Sequence, residues 1–422
     1  MATGQTSLGL SLQDLKSASD IKNKIIKPEY FQGHWITGFG WDQYSWPDAA
    51  LPTKEILDTV FPDTPVFLSR VDGHASWLNS AALSELQKNN YDFSRDPVGG
   101  KIERDARGNP TGVLFDQAHI QALLKIPFYS TAQTVLHIKE SLRLFNQAGF
   151  THIRDLSMNS STAHILHDLY QKNELTACLD AFIPVENVGD LQRGLTEFEK
   201  CKSLPNPFLR IHGLKVFVDG SLGSGTAFIS QPYLGTSNRG LMAWSFEEIR
   251  TAIHFCWSRK LEVAFHVIGD SAVENVVKAA REIAASGILG KLHLEHVQLL
   301  RPDVVNLMKP LHVHCHMQPC HWLSDKKWLK TKIGDLTAYL FQWELLRKNK
   351  IPISFGSDSP IEPTSLIRNW AALKDTEVHG IPRLNADFKS FHAHPDASWT
   401  HSKTIFDAEK IHEVHFNGKR II

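Results

Sequence analysis

A chain of 422 residues, 42 % hydrophobic and 21 % charged, has an ordinary globular composition and enough length for one barrel with insertions or for two domains. Lysine plus arginine and aspartate plus glutamate both number 45, and that balance argues against a nucleic-acid or anionic-membrane partner. The five cysteines form no dense framework, no apolar run reaches bilayer length, and Met1 is followed by the polar ATGQTS, so the expectation is a soluble cytoplasmic protein.

In chain order, residues 12–27 read as a helix, and Trp, Gly and Pro then punctuate 31–52. A strand at 65–71, a helix near 76–87 and a hairpin over 99–115, turning at Arg107-Gly108-Asn109-Pro110, follow. Residues 28–128 do not alternate strand with helix and are expected to be an insertion folded over one face. From about 133 the rhythm changes. Strands near 151, 180, 212, 262, 292, 312 and 352 are separated by helices, including those near 246–259, 271–286, 302–309, 336–349 and 364–374. That alternation predicts a parallel α/β fold, a (β/α)8 TIM-type barrel in which seven strands are visible and the first is missing. After about 380, ADFKSFHAHP and KIHEVHFNGKRII predict a small β appendage. The expected parts are 1–27 (start of the barrel), 28–128 (insertion), 129–378 (hydrolase barrel) and 379–422 (remnant of a β-sandwich).

Successive residues of a strand face opposite sides. One face of the later strands reads Leu214, Val216, Val218, Val263, Phe265, Val267, Val313 and Cys315. The other carries Lys215 and Asp219, then His266, His296, His314, His316 and Asp358. An apolar face for helices and a polar face at the C-terminal strand ends is what a barrel enzyme needs. A single strand histidine is usually structural; the argument lies in His266, His296 and Asp358 each closing an apolar strand. Imidazole and carboxylate are the ligands zinc or a similar divalent ion prefers, and such an ion activates water near neutral pH. Lys215 sits among apolar residues, where burial disfavours its charge, and a neutral amine can take up carbon dioxide as a bridging carbamate. A plain Lys215–Asp219 pair is the alternative.

Cys315 and Cys320 with His312, His314, His316 and His321 suggest a structural zinc cluster. Alternation, however, puts Cys315 opposite His314 and His316, which favours a packed thiol. GSLGS (220–224) lacks the lysine of a phosphate loop. Trp35, Trp41 and Trp46 with Tyr44 are either a hydrophobic cap or a lid over substrate.

The stretches WITGFGWDQYSWPDAALPT, PVFLSRVDGHASWLNSAAL, GGKIERDARGNPTGVLFDQA, GLKVFVDGSLGSGTAF, FHVIGDSAVENV, LEHVQLLRPDV, MQPCHW and FGSDSPIEP cover most of 30–370. In their order they resemble the amidohydrolase superfamily, specifically its YtcJ-like branch (amidohydrolase family 3), which includes N-substituted formamide deformylase. The resemblance implies a barrel with a small β-sandwich. It also implies hydrolysis of a non-peptide, amide-like carbon–nitrogen bond in a small molecule by metal-activated water. It makes Lys215 the carboxylated metal bridge, His266 and His296 ligands, and Asp358 a ligand and proton shuttle. Arg70, His74, Asp219, Gln318 and His321 would line the pocket. The cofactor is a divalent metal, zinc or similar, and a homodimer is compatible with the pattern.

Three departures accompany the resemblance. The family's opening His-x-His strand is not in the chain, whose ATGQTSLGLSLQDL resembles what normally follows it; the expectation is that Met1 is an internal methionine. Gly225 replaces the arginine of the family's GSxTA motif, and the region after Asp358 is shorter than usual. The alternative is an inactive barrel or truncated gene product lacking the His-x-His ligands.

Overall fold

The computed structural model describes residues 1–378, 381, 402–407 and 409–422. It divides into two compact units, Met1–Ser141 and Leu142–Ile422.

The first unit is built on β1 (Leu10–Ser11), β2 (Phe31–Gln32), β3 (Trp35–Trp41), β4 (Val66–Arg70), β5 (Ala75–Leu78), β6 (Gly100–Arg104) and β7 (Pro110–Asp116). These form one sheet in the order β1-β3-β4-β5-β7-β6, with β2 also on β3. β1, β3 and β4 are parallel, whereas β4, β5, β7 and β6 pair antiparallel. Both faces are covered, which explains the unbroken apolar start of β4. Val66 and Leu68 join Trp41, Trp46 and Trp77 on one side, while Phe67 joins Trp35, Leu78 and Leu86 on the other. The Trp41 and Trp46 indole N–H groups donate to the carbonyls of Leu68 and Leu15 at 2.8 and 3.2 Å. Trp35, Trp41 and Trp46 are therefore core, not a lid.

Two local expectations are corrected. Residues 12–27 do not make one α-helix: only a 3-10 turn, Ala18–Asn23, forms there. The Asp20 carboxylate accepts from the Lys16 and Ser17 amides, so Ser17 starts a new short turn where a continuous helix would need those amides inside it. The helix expected from residue 76 begins at Ser80, because Asn79 caps it by accepting from the Ala82 amide, and Ala75–Leu78 is a strand. The hairpin expected over 99–115 is present as β6 and β7.

The second unit carries β8 (His152–Asp155), β9 (Cys178–Val185), β10 (Leu209–Phe217), β11 (Glu262–Val267), β12 (Lys291–His296), β13 (His312–Met317) and β14 (Ile353–Phe355). All pair in parallel, in sequence order from β8 to β14. Helices such as Phe246–Ser258, Asp270–Ala285 and Pro302–Met308 fill the crossovers. β8 and β14 do not pair with each other, so the described residues form an open seven-stranded wall and not a closed eight-stranded barrel. Beyond it, β15 (Lys403–Phe406), β16 (Ile411–Phe416) and β17 (Lys419–Arg420) form an antiparallel sheet. Asn417 and Gly418, at φ 48° and 78°, supply the left-handed pair that a two-residue hairpin turn requires. The expected strand in ADFKSFHAHP lies outside the described residues. No helix among the described residues is long and apolar enough to cross a membrane.

Register fixes what each face of the parallel sheet carries. Val216, Phe265, Leu294 and Cys315 lie side by side, as do Phe217, His266, Glu295, His316 and Ser354 on the opposite face. Lys215, Ala264, His293 and His314 make the neighbouring row of that polar face. The sheet thus has a dry side and a side lined with titratable groups.

Candidate active site

Lys215 is 1 % exposed, and its Nζ has no hydrogen-bond partner among the described residues. Its Nζ lies 4.5 Å from the centroid of the Phe217 ring. Burial pushes its pKa down to about 7, with Glu295 pulling the other way. It makes no hydrogen bond with Asp219, whose oxygens accept from the backbone amides of Phe228, Ile268 and Gly269 at 3.0, 3.0 and 2.8 Å. Asp219 therefore ties together the loops that follow β10 and β11.

Strict alternation would put His296 on the same side as Leu292 and Leu294, away from His266. The backbone breaks the pattern: His296 has φ 74° and Val297 φ 45°. This left-handed exit at the end of β12 turns the imidazole, and the His266 and His296 rings meet edge to face at 4.5 Å between centroids. Such conformations cost about 1–3 kcal/mol each and persist where surrounding structure imposes them. The assumption that simple strand parity would bring these residues together is therefore corrected; a strained turn does it.

The side chains around His296 set its protons. Gln318 donates from Nε2 to the His316 carbonyl at 3.2 Å, which leaves Gln318 Oε1 to accept from His296 Nδ1 at 3.0 Å. The His296 proton then sits on Nδ1 and Nε2 keeps its lone pair. Gln298 Nε2 donates to His321 Nδ1 at 2.7 Å, so the His321 proton sits on Nε2. That atom is buried, has no hydrogen-bond partner among the described residues and lies 3.7 Å from Asp358 Oδ2. Burial lowers the His321 pKa to about 4, keeping the ring neutral. His296 Nδ1 is 4.0 Å from the same Asp358 oxygen, and Asp358 itself sits at φ 57°, just after β14.

Lys215, His266, His296, Gln318, His321 and Asp358 thus belong to β10, β11, β12 and the segments that follow β13 and β14. Arg70 and His74 lie in the first unit. Arg70 is 3 % exposed and donates to Gln43, Asp72 and Asp42 at 2.8, 2.6 and 2.6 Å. His74 Nδ1 is 2.8 Å from Asp116 Oδ1.

Sequence reasoning missed Gln298, which sets the His321 proton, and Arg154, whose guanidinium holds Glu295 at 2.7 Å. As a metal site it also weighed His314 and His316 only as part of a cysteine–histidine cluster and passed over His293. Among the described residues, the histidine, cysteine or acidic set whose ligand atoms all lie within 4.8 Å of one another is His293, His314 and His316, not His266, His296 and Asp358. The HxH spacing of β13, placed beside the first histidine of HLEH on β12, was the available signal.

The amidohydrolase family model matches residues 1–384. YtcJ of Bacillus subtilis (strain 168) is 29 % identical over 376 residues, covering 85 % of this chain and 68 % of that protein. Protein LONG AFTER FAR-RED 3 of Arabidopsis thaliana is 31 % identical over 360 residues, but those span only 58 % of its length and 78 % of this chain. The crystal structure of an uncharacterized metal-dependent hydrolase from Pyrococcus horikoshii OT3 is similar in fold, with a TM-score of 0.67 at 24 % identity over 95 % of this chain and 77 % of that one.

Proposed function

The chain belongs to the amidohydrolase family, and from that premise we propose that it hydrolyses a non-peptide, amide-like carbon–nitrogen bond in a small molecule with the help of a divalent metal. The observation that carries this reading is Lys215, a fully buried amine with its pKa near neutrality and no hydrogen-bond partner among the described residues. A buried polar atom left unpartnered is costly, and an amine poised to lose its proton is the form that takes up carbon dioxide. Two imidazoles, a carboxylate and such an amine are a donor set that suits zinc or a similar ion. Lys215, as its carbamate, with His266, His296 and Asp358 would hold it. When bound, that ion polarises a carbonyl and activates water.

The chain's own groups do the rest. Gln318 keeps the His296 proton on Nδ1. His321, neutral and with its proton on Nε2, offers a donor to a substrate oxygen beside Asp358. Asp358 accepts the proton released as water adds to the carbonyl carbon and delivers it to the nitrogen as the C–N bond breaks, giving a carboxylate and an amine. A cytoplasmic setting fits five cysteines that are all buried and free.

The test is Asp358→Asn assayed on a panel of N-substituted formamides and related small amides. Turnover should fall by about 10²–10⁴-fold, the usual worth of a positioned proton-transfer group, with an unchanged circular dichroism spectrum. Near-normal turnover by the variant on a substrate of the unmodified chain would overturn the mechanism.

A further inference from the structure

We propose that His293, His314 and His316 form a second binding site, for a divalent first-row transition metal such as zinc, cobalt or nickel, which ties β12 to β13. The site shares no residue with the Lys215–His266–His296–Asp358 set, and its argument does not depend on the hydrolytic reading.

The geometry comes from the register. His293 and His314 are direct partners across β12 and β13, and His316 lies one step further along the same polar face. The three rings are packed together, with centroids 5.1 Å apart for His293–His316, 4.2 Å for His314–His316 and 6.1 Å for His293–His314. One nitrogen of each lies within 4.8 Å of the others.

The surrounding side chains hold the rings as outer partners of a metal site do. Glu262 on β11 lies 2.7 Å from His293 Nε2. Its carboxylate can only accept, so the His293 proton is on Nε2 and Nδ1 presents a lone pair inward. His316 Nδ1 is 2.6 Å from the Ser354 hydroxyl on β14. His293 Nδ1 is 2.8 Å from His316 Nε2, so without metal His316 carries its proton on Nε2 and Ser354 donates to Nδ1. A hydroxyl both donates and accepts. When an ion enters, the His316 proton moves to Nδ1 and Ser354 accepts it, freeing Nε2 without net proton release. His314 Nε2 is buried and has no hydrogen-bond partner among the described residues, an orphan that a metal–nitrogen bond would satisfy. Burial lowers the pKa of all three imidazoles, which favours the neutral form that binds metal.

Metal–nitrogen bonds of roughly 2.0–2.1 Å in a tetrahedron put ligand nitrogens about 3.3 Å apart. The 2.8 Å His293–His316 contact must therefore open by about 0.5 Å, and the stacked rings, now 18–25° apart in plane, must turn so that their in-plane lone pairs meet at one ion. Three imidazoles with a free fourth position, on one face of a parallel sheet, select a borderline ion over calcium or magnesium.

The experiment removes the other candidate ligands first. The full chain carrying His266→Ala and His296→Ala is stripped with chelator, checked by circular dichroism and titrated calorimetrically with zinc or cobalt. It should bind one equivalent of metal per chain, and adding His314→Gln should abolish that equivalent. No binding by the double variant, or binding undiminished by His314→Gln, would overturn the site. Should a variant fail to fold, anomalous diffraction from the unmodified chain soaked in zinc decides the matter. A peak bonded to all three nitrogens supports the site; its absence there refutes it.

Discussion

Arg70 in the first unit and Lys215 in the second are both strand cations with almost no exposure, 3 % and 1 % respectively, and they meet opposite fates. Burial opposes the charge on Arg70, but Asp72 and Asp42 outweigh it and hold the pKa above the ordinary value. Its guanidinium also lies 5.4 Å from the Tyr44 ring and 6.0 Å from that of Trp41. Lys215 has no carboxylate in hydrogen-bond reach among the described residues, so burial wins and the amine approaches neutrality. The difference separates a cation that holds the fold from one whose burial costs stability. The second arrangement persists where chemistry needs it.

The comparison breaks most visibly at Arg70. Arg70→Met leaves the carboxylates of Asp42 and Asp72 facing each other without their shared cation. Removing one partner of a buried ion pair costs about 3–5 kcal/mol. Denaturant unfolding should show that loss in the transition that reports the first unit. A loss below about 1 kcal/mol would mean the pair is solvated and the contrast with Lys215 is false.

Lys215→Met should act in the other direction. The folded pKa of about 7 lies below the unfolded value of 10.5, so between them the unfolded chain binds more protons and stability rises with pH. The penalty is fully present below pH 7 and gone above about pH 10.5. Replacing the amine by an apolar side chain of similar length should raise stability below pH 7 by about 1–4 kcal/mol and flatten the slope, while turnover is lost. Unfolding is to be measured in carbon dioxide-free buffer, since a carbamate would mask the amine. A variant less stable than the parent at pH 6 would show that Lys215 is paired after all.

The sequence showed the strands that carry these residues but not what surrounds them. The alternation of strand with helix located every strand from β8 to β14, even β8, whose His-Ile-Arg-Asp is not an apolar run. Residue alternation within β13 also separated Cys315 from His314 and His316, which lie on opposite faces as expected. It could not show that His296 reaches His266, since that depends on a positive φ at the strand end and not on parity. Nor could it choose between Lys215 paired with Asp219 and Lys215 alone, because the amides that occupy Asp219 come from residues 228, 268 and 269. The two readings of the Trp cluster were likewise separable only by the Leu68 and Leu15 carbonyls that receive its indoles. Local periodicity is written into the chain, whereas partners far apart in sequence are fixed only by the fold.

A third cation sharpens the contrast from within the second unit itself. His212 lies 2.6 Å from Asp180 Oδ1 and 3.5 Å from Glu262 Oε2, with its ring stacked on Phe182. Burial opposes its charge, but hydrogen bonds to Asp180 and Glu262 prevail and raise the pKa to about 9. The folded value exceeds the unfolded one of 6.5, so this stabilisation is fully present below about pH 6.5 and is lost as pH climbs through about 9. Its slope therefore runs opposite to that of Lys215 over much of the same range. In the Lys215→Met background the Lys215 slope is gone, and stability should fall by about 1–2 kcal/mol between pH 6.5 and 9, after allowing for the partial exposure of the ring. Adding His212→Gln should remove that fall while leaving the stability above pH 9 little changed. Urea unfolding at four pH values across the range measures both curves. A decline of equal size with and without His212 would assign it to another group and leave the paired cation of this unit without a stabilising role.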